Sequence, residues 1–147
     1  MKVALIACTK KKKDYKCQAK ELYSESALFS YAYNYAKKHA DKVFILSAKH
    51  GLVDENEVLE PYNQTLNGAK NAVKKSWAEK VFKQMEEKID LNDAELIFLA
   101  GQNYRKFLIP MIKTKYDTKI SVPLEDVGGI GNQLHYLKEE QEEDRTL

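Results

Sequence analysis

Short apolar runs alternate along the chain with stretches in which apolar residues recur every three or four positions. The runs cover residues 2–8, 42–48, 94–101 and, in a more polar form, 118–124. Continuous apolar runs of this length that contain Val and Ile are typical of strands buried on both faces. Pro123 should end the pairing of the last run, because proline has no N–H to donate. The pattern therefore predicts four strands.

The stretches between and after these runs have helical periodicity. They cover residues 26–39, 71–89, 103–113 and 131–143, and Pro110 should end or bend the third. In the second, Val73, Trp77, Val81 and Met85 follow one another at four-residue steps, which forms one apolar face. Alternating strands and helices predict a three-layer α/β fold, with a mostly parallel four-stranded sheet and helices on both faces.

Length and composition indicate one soluble domain over residues 1–147. The chain is 44% apolar and 31% charged, and its net charge of +2 neither requires nor excludes nucleic acid. Charge is nevertheless uneven, because lysines occupy positions 10–13 and an acidic tail occupies 139–147. The tail is expected to be solvated, with a frayed end.

The cysteines and the hydropathy of the chain bear on its cofactors, its relation to a membrane and its location in the cell. Cys8 and Cys17 match no zinc-binding spacing, and neither a metal ion nor another cofactor is expected. The apolar start is too short for a signal peptide, and no segment approaches the length of a membrane span. We therefore expect no membrane partner and a cytoplasmic protein with reduced thiols.

Polar and glycine residues stand at the end of every predicted strand. The candidates for binding or catalysis are Cys8, Thr9 and Lys10 at the first strand, Ser47, His50 and Asp54 at the second, Gln102 and Tyr104 at the third, and Glu125, Gly129, Gly131 and Asn132 at the fourth. In an open parallel sheet, ligands bind outside the carboxyl ends of the strands. The sequence therefore predicts a binding site at that edge.

Several of these residues have a structural explanation beside the functional one. His50 can cap a strand end instead of transferring a proton. Cys8 is as a rule a small buried residue rather than a nucleophile. Tyr104 can cover the core instead of stacking on a ligand. The glycines at 128–131 form a plain turn before a helix in one interpretation and an anion site in the other. Lys10 is the lysine expected to point into the site.

Five sequence blocks together resemble a known protein family. They are "ALIACTKKK", "AKELYSESALF", "ILSAKHGLVDENEVLEPYNQTL", "LAGQNYRKFL" and "GGIGNQLHYL". The set resembles a small uncharacterised bacterial, archaeal and phage family that is distantly similar to the peroxide stress protein YaaA. Thr9 stands where serine is also common in that family. The wider relatives are similar in fold to uracil-DNA glycosylases, so the resemblance implies a nucleotide or nucleic-acid ligand.

The leading hypothesis is an enzyme directed at a nucleotide, a nucleoside or a nucleic-acid base, with cleavage of the N-glycosidic bond as the expected reaction. His50 would stabilise the departing base, while Asp54, Glu60 or Glu125 would orient water or stabilise the sugar cation. Tyr62, in the long connection at 51–70, or Tyr104 would stack on the base.

Two alternatives use the same residues without this chemistry. The first is a non-catalytic protein that binds or sequesters a nucleotide or a single-stranded nucleic acid, because stacking and phosphate contacts suffice for that. The second is a partner-binding protein, whose interface would use the tyrosines between Tyr15 and Tyr35. The sequence does not decide the oligomeric state.

Overall fold

The computed structural model describes residues 1–125 and 132–139 and arranges them around a central sheet. The strands are β1 (Lys2–Ala7), β2 (Cys17–Gln18), β3 (Lys42–Ser47), β4 (Gly51–Asp54), β5 (Val58–Leu59), β6 (Glu95–Leu99) and β7 (Lys119–Ser121). The helices are α1 (Ala19–Leu22), α2 (Ala27–His39), α3 (Asn71–Lys88), α4 (Gln102–Arg105), α5 (Leu108–Lys115) and α6 (132–139).

The main sheet has five strands in the order β4-β3-β1-β6-β7. The central strand β1 runs parallel to both β3 and β6, and β7 runs parallel to β6. This arrangement confirms the predicted α/β fold with a mostly parallel sheet. The fifth strand, β4, is the addition to the four predicted, and it pairs with β3 in antiparallel fashion, so that Leu52 lies opposite Leu46.

A tight reversal after β3 explains why β4 escaped prediction. Gly51 has a φ of 78°, a left-handed conformation that glycine adopts at little cost. The four residues of β4 are too few to show an alternating pattern. Outside the main sheet, β2 and β5 form a separate two-stranded antiparallel sheet.

The two faces of the sheet pack against different helices, which confirms the three layers. On one face, α3 and α5 contribute buried residues that include Trp77, Met85 and Ile112. On the other face, α2 and α6 contribute Phe29 and Leu137. Successive residues of β1 point to opposite faces, as the period of a strand requires.

The third predicted helix is divided into α4 and α5. The division lies at Lys106 and Phe107, before the proline that was expected to cause it. Pro110 instead occupies the first turn of α5, where a backbone N–H has no partner within the helix. Among the helices of the described residues, none is both long enough and apolar enough to cross a membrane.

Candidate functional site

A cavity of about 1010 Å³ opens at the carboxyl edge of the sheet, where the sequence predicted a site. Residues 6–12 at the end of β1 and residues 99–105 at the end of β6 supply much of its lining. The connection after β5 contributes residues 63–65 and Asn67, and α2 contributes Leu28, Phe29 and Ala32. The cavity therefore lies beside the central strand and not at an outer edge of the sheet.

Two chemically different surfaces line the cavity. An apolar wall is formed by Ile6, Leu28, Phe29, Ala32, Leu99 and Leu124. The lining also contains cationic, hydroxyl and amide side chains, which are those of Lys10, Lys11, Lys12, Thr9, Thr65, Asn63, Gln64, Asn67, Gln102, Asn103 and Arg105. Such a cavity suits a ligand that combines a flat apolar group with a polar, anionic one.

Cys8 is the residue through which the ends of the central strands meet. Its backbone N–H donates to the carbonyl of Leu46, at 2.9 Å, and so extends the pairing with β3. Its Sγ accepts from the N–H of Ala48, at 3.4 Å, and lies 3.3 Å from the hydroxyl of Tyr104. The sequence placed Cys8 and Tyr104 in one site, and the structure brings them into contact.

Tyr104 is a buried residue, with 6% of its surface exposed, so its interpretation as a core residue also holds. Burial raises the pKa of its phenol, and so does Cys8, while hydrogen bonds from Leu66 and Thr65 act the other way. Its ring packs edge-on against Trp77, with the centroids 5.3 Å apart. Tyr104 therefore lines the cavity and also belongs to the core.

Lys12, rather than Lys10, is the lysine held most closely by the protein at this cavity. Both line it, but Lys10 is exposed, whereas Lys12 is partly buried. The Lys12 ammonium lies 4.5 Å from the centroid of the Tyr62 ring and 5.9 Å from that of Tyr23. Burial lowers the pKa of Lys12, and the nearby Cys8 acts in the opposite direction.

Tyr62, whose ring contacts Lys12, belongs to a hydrogen-bonded row of buried hydroxyl groups. Its hydroxyl lies 2.5 Å from that of Tyr23 and 2.7 Å from that of Ser47. The Ser47 hydroxyl also accepts from the backbone N–H of His50, at 3.0 Å. Ser47 and Tyr62 were both predicted to bind the ligand, but their hydroxyls bond to one another and neither residue lines the cavity.

His50 and Asp54 do not line the cavity. The His50 ring packs edge-on against Tyr62, and burial and then Lys49 lower its pKa. Asp54 lies opposite Phe44 in the β3–β4 pair and forms an ion pair with Lys42 at the amino end of β3. Antiparallel pairing thus carries Asp54 away from the edge that holds Cys8.

Arg105 is a cavity residue that the sequence interpretation did not select. Its side chain is 14% exposed, and its Nε donates to the carbonyl of Ala100 at 2.8 Å. The Nη1 of Arg105 lies 3.6 Å from the carboxylate of Glu125, which also lines the cavity. In a helical turn, Gln102 and Arg105 lie three positions apart, and this spacing on the block after β6 is the signal that could have identified the arginine.

The remaining predicted residues are distributed as follows. Thr9 and Gln102 line the cavity, and the Thr9 hydroxyl donates to the carbonyl of Lys11. Asn132 is the first described residue of α6 and is exposed, while its neighbour Gln133 lines the cavity. The predicted anion site at Gly129 and Gly131 and the acidic tail beyond residue 139 lie outside the described residues. Within the described ranges, no group of three or more His, Cys, Asp or Glu side chains is placed to hold a metal ion.

Sequence comparison relates the chain to proteins whose activity is not assigned. A family of unknown function (DUF6884) matches residues 3–139. The uncharacterized protein YfjM of Bacillus subtilis (strain 168) is 31% identical over 152 residues, which cover 99% of this chain and 99% of YfjM. No solved structure matches the chain. The expected similarity to a small uncharacterised family is confirmed, whereas these matches give no support to the expected likeness to YaaA or to uracil-DNA glycosylases.

Proposed function

Because the chain belongs to a family of unknown function, DUF6884, we propose a function from its own residues: the cavity at the carboxyl edge of the sheet binds a nucleotide. The observation that carries this proposal is the charge of the lining. Four cationic residues, Lys10, Lys11, Lys12 and Arg105, line the cavity, and the described lining contains one carboxylate, that of Glu125. A cavity with this excess of positive charge attracts an anionic ligand.

Arg105 is the residue expected to hold the phosphate. Its guanidinium is pre-positioned by the hydrogen bond to Ala100, and planar guanidinium groups bind phosphate through two parallel hydrogen bonds. The separation of 3.6 Å from Glu125 is longer than an ordinary hydrogen bond, and Glu125 is 59% exposed. A phosphate can therefore displace this carboxylate at little cost.

The apolar wall and the amide side chains fit the other parts of a nucleotide. Leu28 is the partly exposed member of the apolar wall, and a base can pack against it. Asn67 and Asn103 also line the cavity, and the Asn103 amide donates to the Asn67 side-chain carbonyl oxygen at 2.7 Å. Amide groups of this kind can donate to and accept from a base or a ribose.

Calorimetric titration with a nucleoside monophosphate and with the matching nucleoside tests the proposal. Arg105→Gln should weaken binding of the monophosphate by about tenfold or more, since charged hydrogen bonds contribute roughly 1.5–3 kcal/mol. Binding of the nucleoside should change little. Lys75→Gln is the matched control, because Lys75 is exposed on α3 and does not line the cavity. Equal losses for both ligands, or an equal loss in the control, would contradict phosphate binding by Arg105.

Single-stranded nucleic acid is the larger form of the same ligand. A polyanion would contact several lysines, so its affinity would fall steeply with salt, whereas that of a single nucleotide would fall only slightly. Titrations of a mononucleotide and a single-stranded oligonucleotide at two salt concentrations separate these ligands. An association with nucleic acid is what the resemblance to YaaA implies. A cytoplasmic location is compatible with either ligand. The association and the location are predictions.

Cleavage of the N-glycosidic bond is a second candidate function, and Glu125 is the observation that favours it. This carboxylate lines the cavity and can orient water or stabilise a sugar cation. Release of free base from each nucleotide that binds is the assay. Glu125→Gln should abolish release, and Glu60→Gln, an exposed glutamate not in the cavity lining, should not. A wild-type protein that binds nucleotides without releasing base would support binding alone.

A further inference from the structure

We propose that the Nζ amine of Lys12 is a nucleophile that condenses with the carbonyl group of a phosphorylated aldehyde or ketone in the same cavity. The inference rests on the proposed phosphate binding, because the phosphate is what brings such a ligand to Lys12. It adds a covalent step to the proposed binding of a phosphorylated ligand.

The position of Lys12 separates it from the other lysines of its loop. Its Nζ lies against the face of the Tyr62 ring and donates to the carbonyl of Lys10, at 3.4 Å. Lys13, by contrast, lies 3.8 Å from the carboxylate of Glu25, and Lys11 is exposed. Lys12 is thus the lysine of this loop that lines the cavity, is partly buried and forms no ion pair with a described carboxylate.

No carboxylate forms an ion pair with Lys12 within the part of the chain that the structure describes. The groups that face it are the thiol of Cys8 and the rings of Tyr23 and Tyr62. Ring faces stabilise the ammonium form, by about 0.5–1 kcal/mol at exposed sites. Burial opposes them and lowers the pKa of Lys12, so a larger fraction of this amine is neutral and nucleophilic.

The chemistry needs no oxidant and no further reactant. The lone pair of the neutral amine attacks the carbonyl carbon and forms a C–N bond. Two protons pass from the nitrogen to the carbonyl oxygen, the C–O bond breaks, and the oxygen leaves as water. The product is an imine between Lys12 and the ligand, and water reverses the reaction by the same steps.

The lining of the cavity defines the class of carbonyl compound. Arg105 lines the cavity together with Lys12, so the favoured ligand carries a phosphate as well as the carbonyl. Open-chain sugar phosphates have both groups. Cleavage of a nucleotide at its glycosidic bond would release a sugar of this kind, whose ring opens to an aldehyde.

Labelling with pyridoxal 5′-phosphate, an aldehyde that bears a phosphate, tests the inference. The full chain is treated with less than one equivalent of the reagent near neutral pH, reduced with borohydride, digested and analysed by peptide mass spectrometry. Lys12 should carry most of the label, because Arg105 holds the phosphate of the reagent in the cavity that Lys12 lines, and burial favours the neutral form of the Lys12 amine. Lys12→Arg should remove this label and keep the charge, while Lys16→Arg, an exposed lysine outside the cavity, should leave it unchanged.

Pyridoxal without the phosphate distinguishes the two proposals. Preferential labelling of Lys12 by both aldehydes at equal rates would support the nucleophile and overturn the phosphate site. Label spread evenly over Lys10, Lys11 and Lys16 would overturn the nucleophile, even if nucleotides bind as proposed. These results come from the unaltered protein, so they do not depend on the folding of any variant.

Discussion

The thiol of Cys8 lies 3.3 Å from the hydroxyl of Tyr104, which is 96 residues further along the chain. The contact joins the end of β1 to the helix that follows β6. Tyr104 also packs on Trp77, whose indole N–H donates to the carbonyl of Ser47 at 2.8 Å. Side chains therefore fasten together the carboxyl ends of β1, β3 and β6, and the shape of the cavity depends on them.

Tyr104→Phe tests how much this contact stabilises the fold. The change removes one buried hydroxyl and leaves its partners, Cys8, Thr65 and the N–H of Leu66, without it. We expect a loss of about 1–2 kcal/mol in the free energy of unfolding, measured with urea. Tyr15→Phe is the control, because Tyr15 is 55% exposed, and its effect should stay within about 0.5 kcal/mol. An equally small effect at Tyr104 would show that the contact does not stabilise the protein.

Stability should fall at alkaline pH. Burial raises the pKa of the phenols of Tyr23, Tyr62 and Tyr104 above the value of about 10 that they have in the unfolded chain. Their contribution is complete below that value and is lost as the pH rises beyond it, because ionisation then favours unfolding. Urea unfolding at pH 8 to 11 and phenolate absorbance measure this. If all nine tyrosines of the native protein ionised near pH 10, this prediction would fail.

Three glycines should respond differently to replacement by alanine. Gly51 has a positive φ, and a Cβ there would overlap the side-chain amide of Gln84. Gly68 has a φ of 77° but open space around it, and Gly101 has neither restriction. Gly68→Ala should cost about 1–2 kcal/mol from strain alone. Gly51→Ala should cost more, and Gly101→Ala should be nearly neutral, as thermal unfolding would show.

Substitutions at His50 and Asp54 should leave nucleotide affinity within about 0.5 kcal/mol of the wild type, because neither residue lines the cavity. Asp54→Asn should nevertheless lower stability by about 0.2–1 kcal/mol, since the pair with Lys42 is partly exposed. Partial burial acts to raise the pKa of Asp54, but hydrogen bonds from Lys42 and Asn56 outweigh it and lower the pKa. The difference from the wild type should therefore disappear as the pH falls below about 4. A large loss of nucleotide affinity in a His50 or Asp54 variant would show that the substituted residue belongs to the binding site.

The sequence predicts the layers well because long apolar runs carry a strong signal for buried parallel strands. For the same reason it places Cys8 and Tyr104 at one edge of the sheet, and the two residues do meet there. It fails at Asp54, which follows the end of β3 by only a few residues in the sequence. The chain reverses between β3 and β4, and Asp54 therefore lies opposite Phe44, away from the carboxyl end of β3. Arg105 was missed although it lies three positions after Gln102, because only the fold shows that this turn of chain borders the cavity.

The position of β1 at the centre of the sheet has a consequence for synthesis on the ribosome. This apolar strand is made before both of its neighbours, and β6 begins only at Glu95. At ordinary elongation rates, one edge of β1 waits roughly 5–20 s for that neighbour to emerge. During this interval the nascent chain presents an unpaired hydrophobic strand to other polypeptides. We therefore expect sheet closure by β6 to be a late step and the interval before it to be the one most exposed to aggregation.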